Sequence, residues 1–195
     1  MTHLILIRHG QTDWNVEGRW QGQADPPLNE RGRAQARLTA EQLAQFEFAA
    51  LYSSDLRRAF ETAQIIGVAI GLPIIADARL REIRLGVWQG LLATDIQARY
   101  PDEFRRWHAS PLAVRPPGGE DIEMLAARVI PTIVEIATRH PGQCIAIVAH
   151  ELPIAVAACH AAGLGLEHLR EMIPPTGAWR EVIVTDTLKE KSDAR

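Results

Sequence analysis

Two histidines in this chain of 195 residues stand directly behind apolar runs. His9 follows Leu4-Ile5-Leu6-Ile7-Arg8, and His150 follows Cys144-Ile145-Ala146-Ile147-Val148-Ala149. A neutral imidazole nitrogen can attack phosphorus when nearby donors offset the phosphoryl charge. Arg8 can offer two phosphate oxygens a planar fork, and Gly10 permits close backbone approach. Taken alone, these three residues fit a structural turn equally well. His3, His108, His140, His160 and His168 lack the strand-end placement and read as packing or surface residues.

A second group lies in Ser53-Ser54-Asp55-Leu56-Arg57-Arg58, where two arginines open a helical stretch. Cations there oppose the helix dipole, whereas an anion bound at the helix start would account for them. Arg57 reads as solvated and Arg58 as the candidate for the site. The third element is Glu82, in Leu80-Arg81-Glu82. A carboxyl group beside a transferring phosphoryl could protonate the departing alkoxide and then activate water. An ion pair with Arg81 or Arg84 is the competing explanation. No acidic or histidine cluster has metal-ligand spacing, and no Gly-rich loop carries the lysine of a nucleotide kinase.

The elements that must position these residues alternate. Short apolar runs at residues 4–7, 49–52, 74–75, 144–149 and 179–184 predict strands, the uninterrupted ones buried on both faces. Helical periodicity follows Asn29, a capping residue, and recurs over 58–70, 121–139 and 153–162, with Pro131 a candidate kink. Ser53, Ser54 and Asp55 are types that favour a helix start. The pattern predicts an α/β layered fold: a mostly parallel central sheet flanked by helices. Such sheets bind ligands beyond the carboxyl ends of their strands, where both histidines fall. Residues 86–119 are irregular and read as a cap over one sheet end within a single domain, 1–195. Residues 187–195 read as a flexible tail.

Composition narrows the partners. With 21 Lys+Arg against 24 Asp+Glu and a net charge of −3, no general basic field invites nucleic acid. Lysine occurs only at Lys189 and Lys191, so any phosphate grip falls to arginine, the better fork. Two cysteines in apolar runs, no leader-like start and no run of about 20 apolar residues predict a cytoplasmic chain away from membranes. The expected partner is a phosphorylated small molecule, with a homodimer left open.

Together, Arg8-His9-Gly10, Ser54-x-Leu56-x-Arg58-Ala59-x-x-Thr62, Leu80-x-Glu82 and Ala149-His150 resemble the histidine phosphatase superfamily, also called phosphoglycerate-mutase-like. Asn15, Gln21-Gly22, Asp25-x-Pro27-Leu28-x-x-x-Gly32 and Pro117-Gly118-Gly119-Glu120 extend the likeness to about residue 185. The resemblance implies that His9 becomes a phosphohistidine, that Arg8, Arg58 and His150 surround the phosphoryl group and supply positive charge, and that Glu82 donates and then accepts a proton. Asn15, Gln21 and Gly22 would line the phosphate pocket, Thr12 would orient the first loop, and neither metal nor cofactor is expected. The surroundings of Glu82 and its short separation from His150 are similar to the smaller phosphatases, alpha-ribazole phosphatases among them. Hydrolysis of a small-molecule phosphomonoester is therefore expected, with phosphoglycerate mutation or a non-catalytic phospholigand-binding module as alternatives. One residue departs from the pattern: Glu151 stands where many members have Gly. At about 6 Å from a phosphate dianion and an effective dielectric near 20, its carboxylate would be repelled by roughly 5 kcal/mol. It is expected to point away, to pair with an arginine, or to meet the non-phosphate part of the substrate.

Overall fold

The computed structural model describes residues 1–185; the tail expected at 187–195 lies outside them. Five strands form one sheet: β1 (Thr2–Arg8), β2 (Phe48–Ser53), β3 (Ile74–Ala76), β4 (Cys144–Ala149) and β5 (Trp179–Val184). Their order is β3-β2-β4-β1-β5, with all pairs parallel except β1 with β5.

The apolar runs are continuous because both faces are covered. Leu4 and Leu6 of β1, with Ile145 and Ile147 of β4, pack on one face against α6 (Ile122–Arg139) and α7 (Glu151–Ala162). Ile5, Ile7, Ala146 and Val148 point to the other, against α2 (Glu30–Leu43) and α3 (Arg57–Ile70). Each of these Leu, Ile and Val side chains contributes about 1.5–3 kcal/mol when fully buried, so the period-2 alternation fixes the register. α7 is buried from Pro153 to Cys159 and so shows no polar stripe. Among the described residues, no single helix is long and apolar enough to cross a membrane.

Two local expectations change. α7 begins at Glu151, with Pro153 in its first turn, where a missing N–H costs nothing. None of Ser53, Ser54 and Asp55 is the residue that caps α3: its N-cap is Leu56, without a side-chain cap, and the Arg57 N–H donates to Asp25 Oδ1 at 2.6 Å. A short helix, α1 (Asp13–Glu17), was not legible as an element. Thr12 and Asn15 cap it reciprocally, which fixes the loop behind His9.

Residues 86–119 fold as a 3₁₀ turn (Gly86–Trp88), α4 (Ala93–Arg99), α5 (Pro101–Ala109) and a second 3₁₀ turn (Pro111–Ala113). A further 3₁₀ segment, Leu166–Met172, leads toward β5.

Candidate active site

Register brings the two histidines together. Arg8 pairs with Ala149 across β1 and β4, so both strands end at one level, and the His9 N–H donates to the Ala149 carbonyl at 3.1 Å. The imidazole centroids lie 5.2 Å apart. β2 ends beside them, where Ser54 Oγ is 2.8 Å from His150 Nε2.

His9 is buried, and its ring orientation is set on both sides. Nδ1 lies 2.7 Å from the Gly10 carbonyl, which can only accept, so Nδ1 carries the proton. Nε2 then keeps its lone pair, which accepts from Arg58 Nε at 3.1 Å. Burial, followed by the Arg58 charge, holds the His9 pKa well below the ordinary histidine range. The result is a neutral imidazole with a fixed tautomer.

Gly10 differs from its expected use. A Cβ on Gly10 would overlap the Gly32 carbonyl, and one on Gly32 would overlap the Gln11 carbonyl. The glycine therefore admits α2 against the His9 loop. Thr62 Oγ1 accepts the Gly10 N–H at 3.1 Å and donates to the Arg58 carbonyl at 2.8 Å, tying the loop to α3.

Arg58 is 1% exposed. Its terminal nitrogens donate to the Ala24 carbonyl at 2.7 Å and the Gly22 carbonyl at 2.8 Å, while burial pushes its pKa down to about 10. Gly22, at a φ of +52°, turns its carbonyl toward that guanidinium. Arg57 by contrast is exposed and pairs with Glu61. Arg8 donates to the Pro174 carbonyl at 2.8 Å and to the Glu151 carboxylate. The departing residue thus pairs with an arginine, and the partner is a phosphate-site candidate. His150 is buried and its pKa also falls well below the histidine range, by desolvation and then the Arg58 charge. Where the resemblance implied a charged His150, this environment keeps it neutral, and the fixed positive charge belongs to Arg8 and Arg58.

Glu82 makes no ion pair with Arg81 or Arg84. Arg81 is held by Asp55, and the Arg84 N–H donates to Glu120 Oε2 at 2.9 Å. The Glu82 carboxyl accepts from the Ile83 N–H at 2.8 Å and, at 3.5 Å, from that of Leu152. Burial, then the Glu151 charge, push its pKa up to about 7, so about half of it keeps a proton at neutrality. Its backbone is clamped: Arg128 of α6 donates to the carbonyls of Arg79, Arg81 and Glu82 at 2.7–2.8 Å and to both oxygens of Glu120.

These groups open onto a cavity of about 570 Å³ whose wall includes Arg8, His9, Asn15, Gln21, Gly22, Arg58, Glu82 and Glu151. His150 stands behind His9. Thr12 Oγ1 shares its proton between Asn15 Oδ1 and Gln21 Oε1, so those oxygens face Thr12 and the amide nitrogens are the donors left for a ligand. Trp107, His108 and Pro111 reach the wall from 86–119; Arg19 and Trp20 come from the loop after α1, and Leu169, Arg170 and Ile173 from in and just beyond the 3₁₀ segment. Those last five were missed: the three-residue spacing of Leu166, Leu169 and Met172 marks a 3₁₀ face but says nothing of where it points. Among the described residues, no group of His, Cys, Asp and Glu could hold a metal.

A neutral imidazole at a strand end, flanked by arginines and faced by a carboxyl whose pKa is raised to about 7, is an arrangement that can pass a phosphoryl group through histidine. The profile of the histidine phosphatase superfamily (branch 1) matches residues 4–191, and the chain belongs to that superfamily. Phosphoserine phosphatase 1 of Hydrogenobacter thermophilus is 39% identical over 166 residues, which cover 85% of this chain and 79% of that protein. The mycobacterial glucosyl-3-phosphoglycerate phosphatase, solved with VO3, superposes with a TM-score of 0.88 at 34% identity, covering 96% of this chain and 93% of that one. The alpha-ribazole phosphatase of Shigella flexneri gives 0.86 at 27% identity, over 94% and 91%.

Proposed function

We propose that the chain hydrolyses small-molecule phosphomonoesters through a phosphohistidine on His9, without metal. The observation that carries this reading is the pairing, in one cavity, of a neutral His9 with Nε2 as its lone-pair nitrogen and a Glu82 that holds its proton near pH 7. Nε2 attacks phosphorus, the ester P–O bond breaks, and its electron pair takes the Glu82 proton, releasing the alcohol. Water then attacks the phosphohistidine and gives a proton to the Glu82 carboxylate. The P–N bond breaks, and its pair returns to Nε2. Arg8 and Arg58, with donors from Asn15, Gln21 and His150, offset the phosphoryl charge.

The three similar proteins are all named phosphatases. Residues 86–119 act as the cap that selects the alcohol part, through Trp107, His108 and Pro111. Two unpaired cysteines suit a reducing, cytoplasmic setting.

Rapid quench with labelled phosphomonoester should trap an acid-labile, base-stable phosphoprotein. His9→Ala should abolish label and turnover together. Active wild type that never labels would remove the covalent step. With 3-phosphoglycerate, inorganic phosphate is the expected product; 2-phosphoglycerate would make the chain a mutase. A wild type that binds phosphate but turns over no phosphomonoester would make it a binding module.

A further inference from the structure

Glu151 opens α7 and lines the cavity, its side chain 40% exposed against 12% for Arg8. Arg8 gives Nη1 to the Pro174 carbonyl and Nη2 to Glu151. Its Nε, the second arm of the side-on fork shared with Nη2, is buried and has no partner among the described residues. A phosphoryl group gripped by that fork needs both arms. It must therefore share Nη2 with Glu151 or displace it, and either way the Glu151 carboxylate loses part of its countercharge.

We propose that Glu151 is a specificity-determining residue, which competes with the phosphoryl group for Arg8 and then selects phosphomonoesters whose alcohol carries a cation near the ester oxygen. This rests on the phosphatase reading above. A phosphoryl dianion beside Glu151 already sets two anions together. A leaving group with an ammonium two carbons from the ester oxygen restores the balance, whereas a carboxylate there adds a third anion. Of the remaining arginines on the wall, Arg19 is paired with Glu17 and donates to the Gly90 carbonyl, while Arg170 is tied to the Trp107 carbonyl, a neutral acceptor. Glu82, its pKa pushed up to about 7, carries less charge near neutrality than an ordinary carboxylate.

Three phosphomonoesters of like size separate charge from shape: 2-aminoethyl phosphate, ethyl phosphate and carboxymethyl phosphate. In wild type, kcat/KM should fall in that order, with at least tenfold between the ends. Glu151→Gln should shrink that ratio to within threefold and lower the inhibition constant of inorganic phosphate severalfold. The same ratio and phosphate constant in variant and wild type would overturn the proposal. Should Glu151→Gln fold poorly, Glu151→Gly takes its place, with phosphate affinity measured by calorimetry. A wild type that hydrolyses neither these esters nor nitrophenyl phosphate would sink the phosphatase reading itself, a separate outcome.

Discussion

Glu82 shows how one residue's chemistry is set by what surrounds it. A glutamate in water ionises near 4.3; burial and the neighbouring Glu151 bring this one to about 7, the range a general acid needs. Glu82→Gln should slow alkyl phosphates by about 10²–10⁴-fold and nitrophenyl phosphate far less, because an activated leaving group needs little proton help. Equal slowing in the phosphorylation step would remove the donor role. The same shift has a stability consequence with a definite sign. The folded state binds the proton more tightly than the unfolded one, so the contribution is present at low pH and lost as pH rises from about 4.5 to about 7. Denaturant titrations across that window should show the stability difference between wild type and Glu82→Gln changing by on the order of 3 kcal/mol. A flat difference would place the Glu82 pKa near its ordinary value. His9 and His150 act oppositely, adding stability as pH climbs toward 6.5, so the single-site comparison is the informative one. The sequence carried His9, His150 and Arg58 because strand ends and a misplaced helix-start cation are local signals. It could not carry the fork geometry of Arg8, which needs Pro174 and Glu151 in place.

At the scale of elements, the site depends on a clamp outside the cavity wall. Arg128, on α6, binds the carbonyls of Arg79, Arg81 and Glu82 and is itself aligned by Glu120. A lysine there keeps the charge but loses the planar fork. Arg128→Lys should cut kcat for alkyl phosphates tenfold or more while nitrophenyl phosphate stays within threefold, the pattern of a misaimed acid. Parallel loss on both substrates would reduce Arg128 to a merely structural part. The long helix itself was legible from its apolar periodicity and the capping Asp121. α1 was not: five residues give too short a window for periodicity, and it is held by the Thr12–Asn15 exchange of hydrogen bonds and the Gly18 cap. The 3₁₀ segment failed for another reason, since its face toward the cavity is decided by packing against α5 and α7.

Across the whole molecule, ligand affinity and folding draw on the same contacts, because β1, β4, α3 and the segment bearing Glu82 all meet at one cavity. Anything that binds there stabilises the fold by mass action, about 2.7 kcal/mol at a hundredfold excess over its Kd. Inorganic phosphate at that excess should therefore raise Tm by roughly 5–10 °C, at 2–4 °C per kcal/mol for a chain of this size. The rise should persist in EDTA and vanish in Arg58→Ala. A shift abolished by chelation would require a metal in the site.

β1 sits between β4 and β5, and it precedes both of them in the chain. The Arg8 N–H donates to the Ala178 carbonyl, the His9 carbonyl accepts from Gly177, and the Arg8 guanidinium leans on Pro174. On the ribosome, residues 2–10 emerge long before either flanking strand. At roughly 5–20 residues per second, some ten to thirty seconds separate the birth of the nucleophile from that of its last supports. Until residues 151–178 are made, the Arg8 guanidinium lacks both Glu151 and Pro174, and the backbone of Arg8 and His9 lacks its partners on Ala178 and Gly177. The hold on Arg8 and the antiparallel edge of β1 arrive together, when residues 174–184 join the sheet.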